Sequence, residues 1–330
     1  MTQKGTLLLS QKEVAGLIGL NECIAAVEGA LRLYGEGEIP KPGILGMRTT
    51  NGGFHIKTAM LDRGGRYFAA KINANFPENS QKHGLPAIQG VIVLSNAENG
   101  YPLAIMDSIE ITLLRTGAAT AIAAKHLSRP DSKTVTLCGC GNQGRIQLRS
   151  LREVRPVRKV FAYDIDEERA KAFADQCSKD LDIKPVSRKQ LPSAVIASDI
   201  CVTCTPSRQY FIAREDVRPG TFIAAVGADS EEKQEIDPSL FVSSTIVVDS
   251  LEQCSSIGDL HHAILQGIVK KDGVHAELGE IVAGRKPGRT SSGEIIIFDS
   301  TGMAIQDVAA AVHVYKRAEE NNVGARVTFA

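Results

Sequence analysis

The chain lacks net charge: Lys plus Arg and Asp plus Glu both number 38 over 330 residues. With no overall field to draw it toward nucleic acid or an anionic membrane, small charged metabolites are the expected partners. It also lacks any run of roughly 18 or more apolar residues, the length a single spanning helix requires. Met1-Thr-Gln-Lys-Gly-Thr6 has no apolar segment of the kind a secretory signal carries. Low-complexity stretches, internal repeats and a His-x3-His pair of helical spacing are absent as well. The seven cysteines are odd in number and scattered, which suits reduced thiols in a cytoplasm better than a disulfide framework. The length allows two domains with cores of their own.

What is present centres on Thr134-Val-Thr-Leu-Cys-Gly-Cys-Gly-Asn-Gln-Gly144. A β-branched run turns through Gly139, Gly141 and Gly144 into a helical stripe of Leu148, Leu151 and Val154. In this G-x-G-x-x-G pattern the first glycine allows a tight turn, the second admits a pyrophosphate to the backbone, and the third lets helix and strand pack closely. The helix amides would face the phosphates. Lys159-Val-Phe-Ala-Tyr-Asp164 is a second strand ending in an acid about 20 residues past the last glycine, where a carboxylate binds ribose hydroxyls. That ending favours NAD over NADP.

Before the turn the chain reads differently. Ser10-Gln-Lys-Glu13 is a possible capping box, and Asn21 can cap a helix carrying Ile24, Val27, Leu31 and Tyr34 that stops near Gly35 and Gly37. Residues 44–50 and 54–60 form a hairpin around an Asn51-Gly52 turn. Residues 66–76 supply a strand with Phe68, Ala70, Ile72 and Ala74 on one face and Ala69, Lys71, Asn73 and Asn75 on the other. Residues 88–96 give one more, making an antiparallel region separate from the alternating β/α pattern that begins at Thr134. Between them runs an alanine-rich helical segment, 108–127, whose stretch from Ile111 to Ala124 carries one charge, Arg115. A lone arginine there is either paired internally or aimed at a ligand anion.

Past the turn, strands are expected at 183–186, 198–205, 221–226, 245–249 and 294–299, followed by a helix over 302–321 that could return to the first domain. Cys138 and Cys140 end one strand, and Cys201 and Cys204 lie near the end of a neighbouring one. Core packing is the default reading for these thiols, since Cys-x-Cys is a poor zinc knuckle, and no metal is predicted. His55 reads first as part of a polar sheet face and second as an acid/base.

The order of these motifs resembles the ornithine cyclodeaminase/mu-crystallin family, which also contains alanine dehydrogenases and cyclic ketimine reductases. Leu114-Arg-Thr-Gly-Ala118, Gly139-Cys-Gly-Asn-Gln143, Thr203-Cys-Thr-Pro206, Val226-Gly-Ala-Asp229 and Phe298-Asp-Ser-Thr-Gly302 carry the resemblance over nearly the whole chain. It implies an α/β protein with a Rossmann NAD-binding domain over 119–302. An α+β substrate-binding and dimerisation domain with an antiparallel sheet would span 1–118, completed by a C-terminal helix in 303–330. By the same resemblance the protein would be a homodimer or a multiple of one.

Carried over by position, Arg48, Lys71 and Arg115 match cations that hold a substrate carboxylate, a use that suits bidentate arginines. For Lys71 the alternative is a solvated strand face. Asp229 matches the catalytic carboxylate, with Lys71 beside it in that role. Thr116, Asn142, Gln143, Asp164 and Thr205 match cofactor contacts, and Gly227 is placed with them. Two departures stand near the expected substrate side chain: His55 replaces the glutamate of cyclodeaminases, and Ser-Glu-Glu-Lys233 follows Asp229. They turn the expectation from ornithine toward NAD-dependent interconversion of a small L-amino acid with its imine or 2-oxo acid. A cyclodeaminase with internally recycled NAD is the second reading, and a non-enzymatic small-ligand binder of mu-crystallin type the third.

Overall fold

A computed structural model describes residues 5–329, apart from the side chains of Ser80 and Asp180. Residues 1–4 of the segment read for a leader lie outside the described residues. The chain divides into two compact units, Met1–Ala118 with Met303–Ala330, and Ala119–Gly302. Among the described residues no single helix is long and apolar enough to cross a membrane.

In chain order the first stretch runs β1 (Thr6–Leu9), α1 (Gln11–Leu17), α2 (Leu20–Glu36), β2 (Gly43–Thr49), β3 (Gly52–Asp62), β4 (Arg66–Asn75), α3 (Asn79–Lys82), β5 (Ile88–Asn96), β6 (Pro102–Asp107) and α4 (Ile109–Leu127). The second runs β7 (Thr134–Cys138), α5 (Asn142–Val154), β8 (Lys159–Tyr163), α6 (Glu167–Cys177), β9 (Asp182–Pro185), α7 (Leu191–Ile196), β10 (Ile200–Thr203), β11 (Arg208–Ile212) and β12 (Phe222–Ala225). It continues through β13 (Gln234–Ile236), β14 (Thr245–Val248), α8 (Leu251–Ile257), α9 (Asp259–Leu265), β15 (Ala276–Glu277), α10 (Leu278–Val282) and β16 (Ile296–Asp299). Helix α11 (Ala304–Asn321) and β17 (Ala325–Val327) close the chain and belong to the first unit.

The first unit is a seven-stranded sheet in the order β17-β1-β6-β5-β4-β3-β2, antiparallel except where β1 runs beside β6. Its helices start as short local signals dictate. The Ser10 amide and hydroxyl both donate to Glu13, at 2.8 and 2.6 Å, as expected of a capping box. Asn21, by contrast, does not cap α2. That helix begins one turn element earlier at Leu20, with Glu22 reaching back to accept from the Gly19 amide at 2.7 Å. It ends at Gly37, whose φ of 82° only glycine adopts readily. The hairpin turn also differs from the expected one. Thr49 pairs with Gly52, so Thr50 and Asn51 form the loop and Gly52 opens β3.

Register shows which sheet face is covered. Lys57 pairs with Lys71 and Ala59 with Ala69, and all four are buried; α11 packs across β3 and β4 on that side. Opposite them, Leu45, Met47, Phe54, Ile72 and Val91 are exposed. The solvated-face reading of Lys71 is therefore wrong. Alternation separates the two faces of a strand but does not say which one a helix covers.

The second unit is built on eight parallel strands in the order β15-β14-β16-β12-β10-β7-β8-β9. Taking β7 as strand one, the order 3-2-1-4-5 is that of a Rossmann sheet. Strand β16 slots between β12 and β14, and β11 and β13 pair in a small sheet of their own. Core residues such as Val135, Leu137, Ile200, Val202, Ile223 and Phe298 are fully buried, as strands covered on both faces require. The fold is thus α/β, with a Rossmann sheet in one unit and a mainly antiparallel sheet in the other.

Candidate active site

In the first unit the sheet face that α11 covers at β3 and β4 bears the expected substrate-binding side chains, with Arg48 on the exposed strand β2 beside it. Arg48 pairs with Gly53, His55 with Asn73 and Lys57 with Lys71, and strand alternation puts Arg48, His55, Lys57 and Lys71 on one side. Lys71 and Arg115 meet there at Asp307, a residue of α11 that the sequence reading missed. Lys71 Nζ lies 2.7 Å from the Asp307 carboxylate and Arg115 Nε 3.1 Å from it. Arg115 Nη1 also donates to Gln306 Oε1 at 3.1 Å. Of the two readings of the lone Arg115, the structure shows the internal pairing: the guanidinium has Asp307 and Gln306 as partners, and Asp307 is shared with a second cation.

The electrostatics follow from burial. Burial pushes the Lys71 ammonium down from its usual 10.5 to about 7; Asp307 opposes that fall, whereas Arg115 and Lys57 add to it. Burial alone would raise the Asp307 carboxyl, but Lys71 and Arg115 outweigh it and hold it below the usual carboxylate range. Three cationic side chains thus act around Asp307, and Lys57, Lys71 and Arg115 are all buried. A buried charge is tolerated only when paired, and Asp307 meets that need for both Lys71 and Arg115. Asp307 had a readable signal: in Met303-Ala-Ile-Gln-Asp-Val-Ala-Ala-Ala-Val312 it is the single charge, the counterpart of Arg115 in α4.

In the second unit β7 leads into the glycine turn. Gly139 takes φ 104°, and its amide donates to Tyr163 O at 2.8 Å. A Cβ on Gly144 would lie 2.1 Å from Gly139 O, and one on Gly139 2.8 Å from Cys204 O. Neither position admits a side chain. Gly141 is different, because a Cβ there would meet no protein atom within 4 Å. Its glycine is not required by packing of the protein on itself, which fits a backbone approached by a ligand. Asn142 and Gln143 form the first turn of α5, and Gln143 Oε1 is buried with no hydrogen-bond partner among the described residues. Asp164, buried at the end of β8, accepts from the amides of Cys140 (2.9 Å) and Asp166 (3.1 Å), tying the turn to the second strand. The open Gly141 and the 13-residue helix whose N-terminal amides follow it fit a dinucleotide pyrophosphate.

The other positions sort as follows. Thr116 donates its hydroxyl to Thr112 O within α4 at 2.7 Å. Thr205 lies just past β10 and donates both its amide and its hydroxyl to Glu235, each at 2.6 Å, while its hydroxyl oxygen accepts from the Ser207 amide at 3.2 Å. Gly227 lies just past β12, and its amide donates to the same carboxylate at 3.0 Å. Asp229, two residues on, is exposed and paired with Lys233 at 2.5 Å. His262 Nε2 donates to Lys233 O at 2.8 Å, which holds that loop from α9. The thiols are protonated donors. Cys204 Sγ donates to Cys138 O at 3.3 Å and Cys140 Sγ to Tyr163 O at 3.5 Å, and burial pushes Cys140 up to about 12. Among the described residues no group of His, Cys, Asp or Glu could hold a metal ion.

Known proteins match this arrangement along its length. The profile of the ornithine cyclodeaminase/mu-crystallin family matches residues 4–322. An alanine dehydrogenase of Archaeoglobus fulgidus is 41% identical over 325 residues, 98% of each chain. Among solved structures, an archaeal alanine dehydrogenase dimer with bound NAD superposes with a TM-score of 0.94 at 41% identity, covering 98% of this chain and 99% of its own. The Delta(1)-pyrroline-2-carboxylate reductase of Thermococcus litoralis, in complex with NADH and L-proline, superposes with a TM-score of 0.91 at 36% identity, covering 98% and 100%. The chain belongs to the ornithine cyclodeaminase/mu-crystallin family.

Proposed function

We propose that the protein is a nicotinamide-dependent oxidoreductase that interconverts a small L-amino acid with its imine or 2-oxo acid. The observation that carries this reading is the buried Lys71–Asp307–Arg115 cluster on the sheet face that also bears Arg48 and His55, a set of side chains suited to a substrate carboxylate. The relatives act on such molecules: one is an alanine dehydrogenase, another a reductase seen with L-proline. Arg48, Lys71 and Arg115 hold the carboxylate, and His55, on the same sheet face, borders the substrate. Bound cofactor supplies the hydride acceptor at Cα. Asp229 exchanges protons with the nitrogen or with the attacking water, a role for which a positioned carboxylate is suited, and Lys71, poised near neutrality, is the second proton-exchanging group.

Asp164 supports NAD over NADP, since a carboxylate fixed at the end of β8 repels a 2′-phosphate. Thr116, Asn142, Gln143, Thr205 and Gly227, with the three turn glycines, complete the cofactor contacts. The exposed apolar sheet face of Leu45, Met47, Phe54, Ile72 and Val91 supports a homodimer. The seven free thiols suit a reducing compartment such as the cytoplasm.

The test is a screen of L-amino acids with purified protein and NAD+, following NADH and ammonia together. Both are expected to rise in step with a small apolar amino acid. Ammonia without NADH would replace this reading by cyclodeamination. Silence in both channels, and with NADH plus imines, would replace it by ligand binding without turnover.

A further inference from the structure

Glu235 on β13 is fully buried, and its carboxylate is shared between two loops. One oxygen accepts from the Thr205 amide and hydroxyl, the other from the Gly227 amide. Thr205 and Gly227 leave the carboxyl ends of β10 and β12, which are neighbours in the sheet, and β10 in turn adjoins β7 and its glycine turn. A Cβ on Gly227 would lie 2.4 Å from Glu235 Oε2, so the glycine there makes room for this carboxylate. Behind it, Asp259 at the start of α9 accepts from the amides of Glu235 (2.7 Å) and Ile236 (2.9 Å), fixing β13 in place. Burial first, and Glu235 second, raise the Asp259 carboxyl to about 8. Burial raises the Glu235 carboxyl as well, opposed by the donors from Thr205 and Gly227.

We propose that Glu235 is a positioning residue that clamps the Thr205 loop to the stem of the Asp229 loop, coupling cofactor binding to the placement of the proton-exchanging carboxylate. This rests on the reading of Thr205 and Asp229 given above. The β10–β12 pairing ends at Thr203 and Ala225, with one further bond from the Val226 amide to Thr203 O at 2.9 Å, and beyond it Glu235 is the side chain that bonds to both loops. A buried acceptor with three donors sets their separation, and losing any one of the three leaves a buried group unsatisfied.

Glu235→Gln tests the clamp. The amide keeps the volume and one accepting oxygen, but its NH2 must face either the Thr205 donors or the Gly227 amide, so one loop is released. The variant is expected to fold and to bind NADH about tenfold or more weakly in a fluorescence titration without substrate. Its kcat is expected to drop by a similar factor, while KM for the amino acid at saturating cofactor changes less than about twofold. Wild-type NADH affinity and kcat in the folded variant would overturn the proposal. Should Glu235→Gln not fold, Glu235→Asp keeps the carboxyl group but is one methylene too short to reach both loops. It is expected to give the same split, and wild-type behaviour there would equally overturn the clamp. The functional reading stands or falls separately: if Asp229→Asn turns over normally while Glu235→Gln loses NADH affinity, the role of Asp229 fails and the hold on the cofactor loop remains.

Discussion

At Asp307 one carboxylate serves two buried cations, and removing it should expose how much the pairing holds. Asp307→Ala leaves Lys71 and Arg115 buried without their shared partner, a change that costs about 3–5 kcal/mol. The cost depends on pH in a definite direction. Lys71 has a native pKa near 7 against an unfolded value of 10.5, so the folded state binds fewer protons over that window and its penalty is relieved as pH rises. Without Asp307 the native value falls further. Urea unfolding of the variant should therefore show a larger loss at pH 6 than at pH 9. An equal loss at both would mean that Lys71 is not the group left in difficulty. The same residue predicts a binding signature: a carboxylate arriving beside Lys71 favours its protonated form. Calorimetry of the amino acid substrate in two buffers of different ionisation enthalpy should find proton uptake at pH 8 and little at pH 6. No uptake at either pH would argue that the carboxylate sits elsewhere. At this scale Arg115 was legible, because a lone charge in an alanine-rich helix needs a partner. Asp307 carries the same signal, a lone charge in an apolar helical stretch, but that the two pair across 192 positions in sequence leaves no local trace.

At the scale of elements, the three glycines of the turn look alike in sequence and differ in the structure. Gly144→Ala drives a methyl into Gly139 O, a backbone atom that moves only with the whole turn, and should cost about 1–3 kcal/mol as well as cofactor affinity. Gly141→Ala meets nothing of the protein; it should melt like wild type and still lose NADH binding. Melting curves with and without NADH separate the two, because a ligand bound only by the native state raises Tm. A Gly141→Ala protein with unchanged NADH-induced shift would remove the pyrophosphate from that position. The strand–turn–helix itself was readable from β-branched run, glycines and helical stripe. The start of α2 was not, because Gly19 with Glu22 outcompetes Asn21 for the same amides, and capping signals one or two residues apart do not rank themselves.

For the molecule as a whole, the apolar face of β2 to β5 is the feature that asks for a partner. Ile72 on β4 is 38% exposed, with Leu45 at 55%, Met47 at 59% and Val91 at 39% on the same face, an apolar patch of the kind that marks an interaction surface. If the proposed homodimer forms through this face, Ile72→Glu should leave the fold intact, since the side chain points away from the core, and should give a monomer in light scattering where the wild type is dimeric. A wild-type protein that is monomeric at micromolar concentration would refute the assembly directly.

Sequence alone determined the local and the periodic: the glycine turn, the strands of the parallel sheet, the alternation of β4 and the separateness of the antiparallel region, each carried by residues within one or two turns of one another. Tertiary structure decided which face of β4 is buried, that Lys71 is a poised ammonium rather than a solvated one, and that Asp307 and Glu235 hold residues brought together from distant parts of the chain. The reason is physical. Backbone propensity and periodicity act over a few residues, whereas burial and charge pairing depend on what another element lays against a side chain, and only the folded chain specifies that.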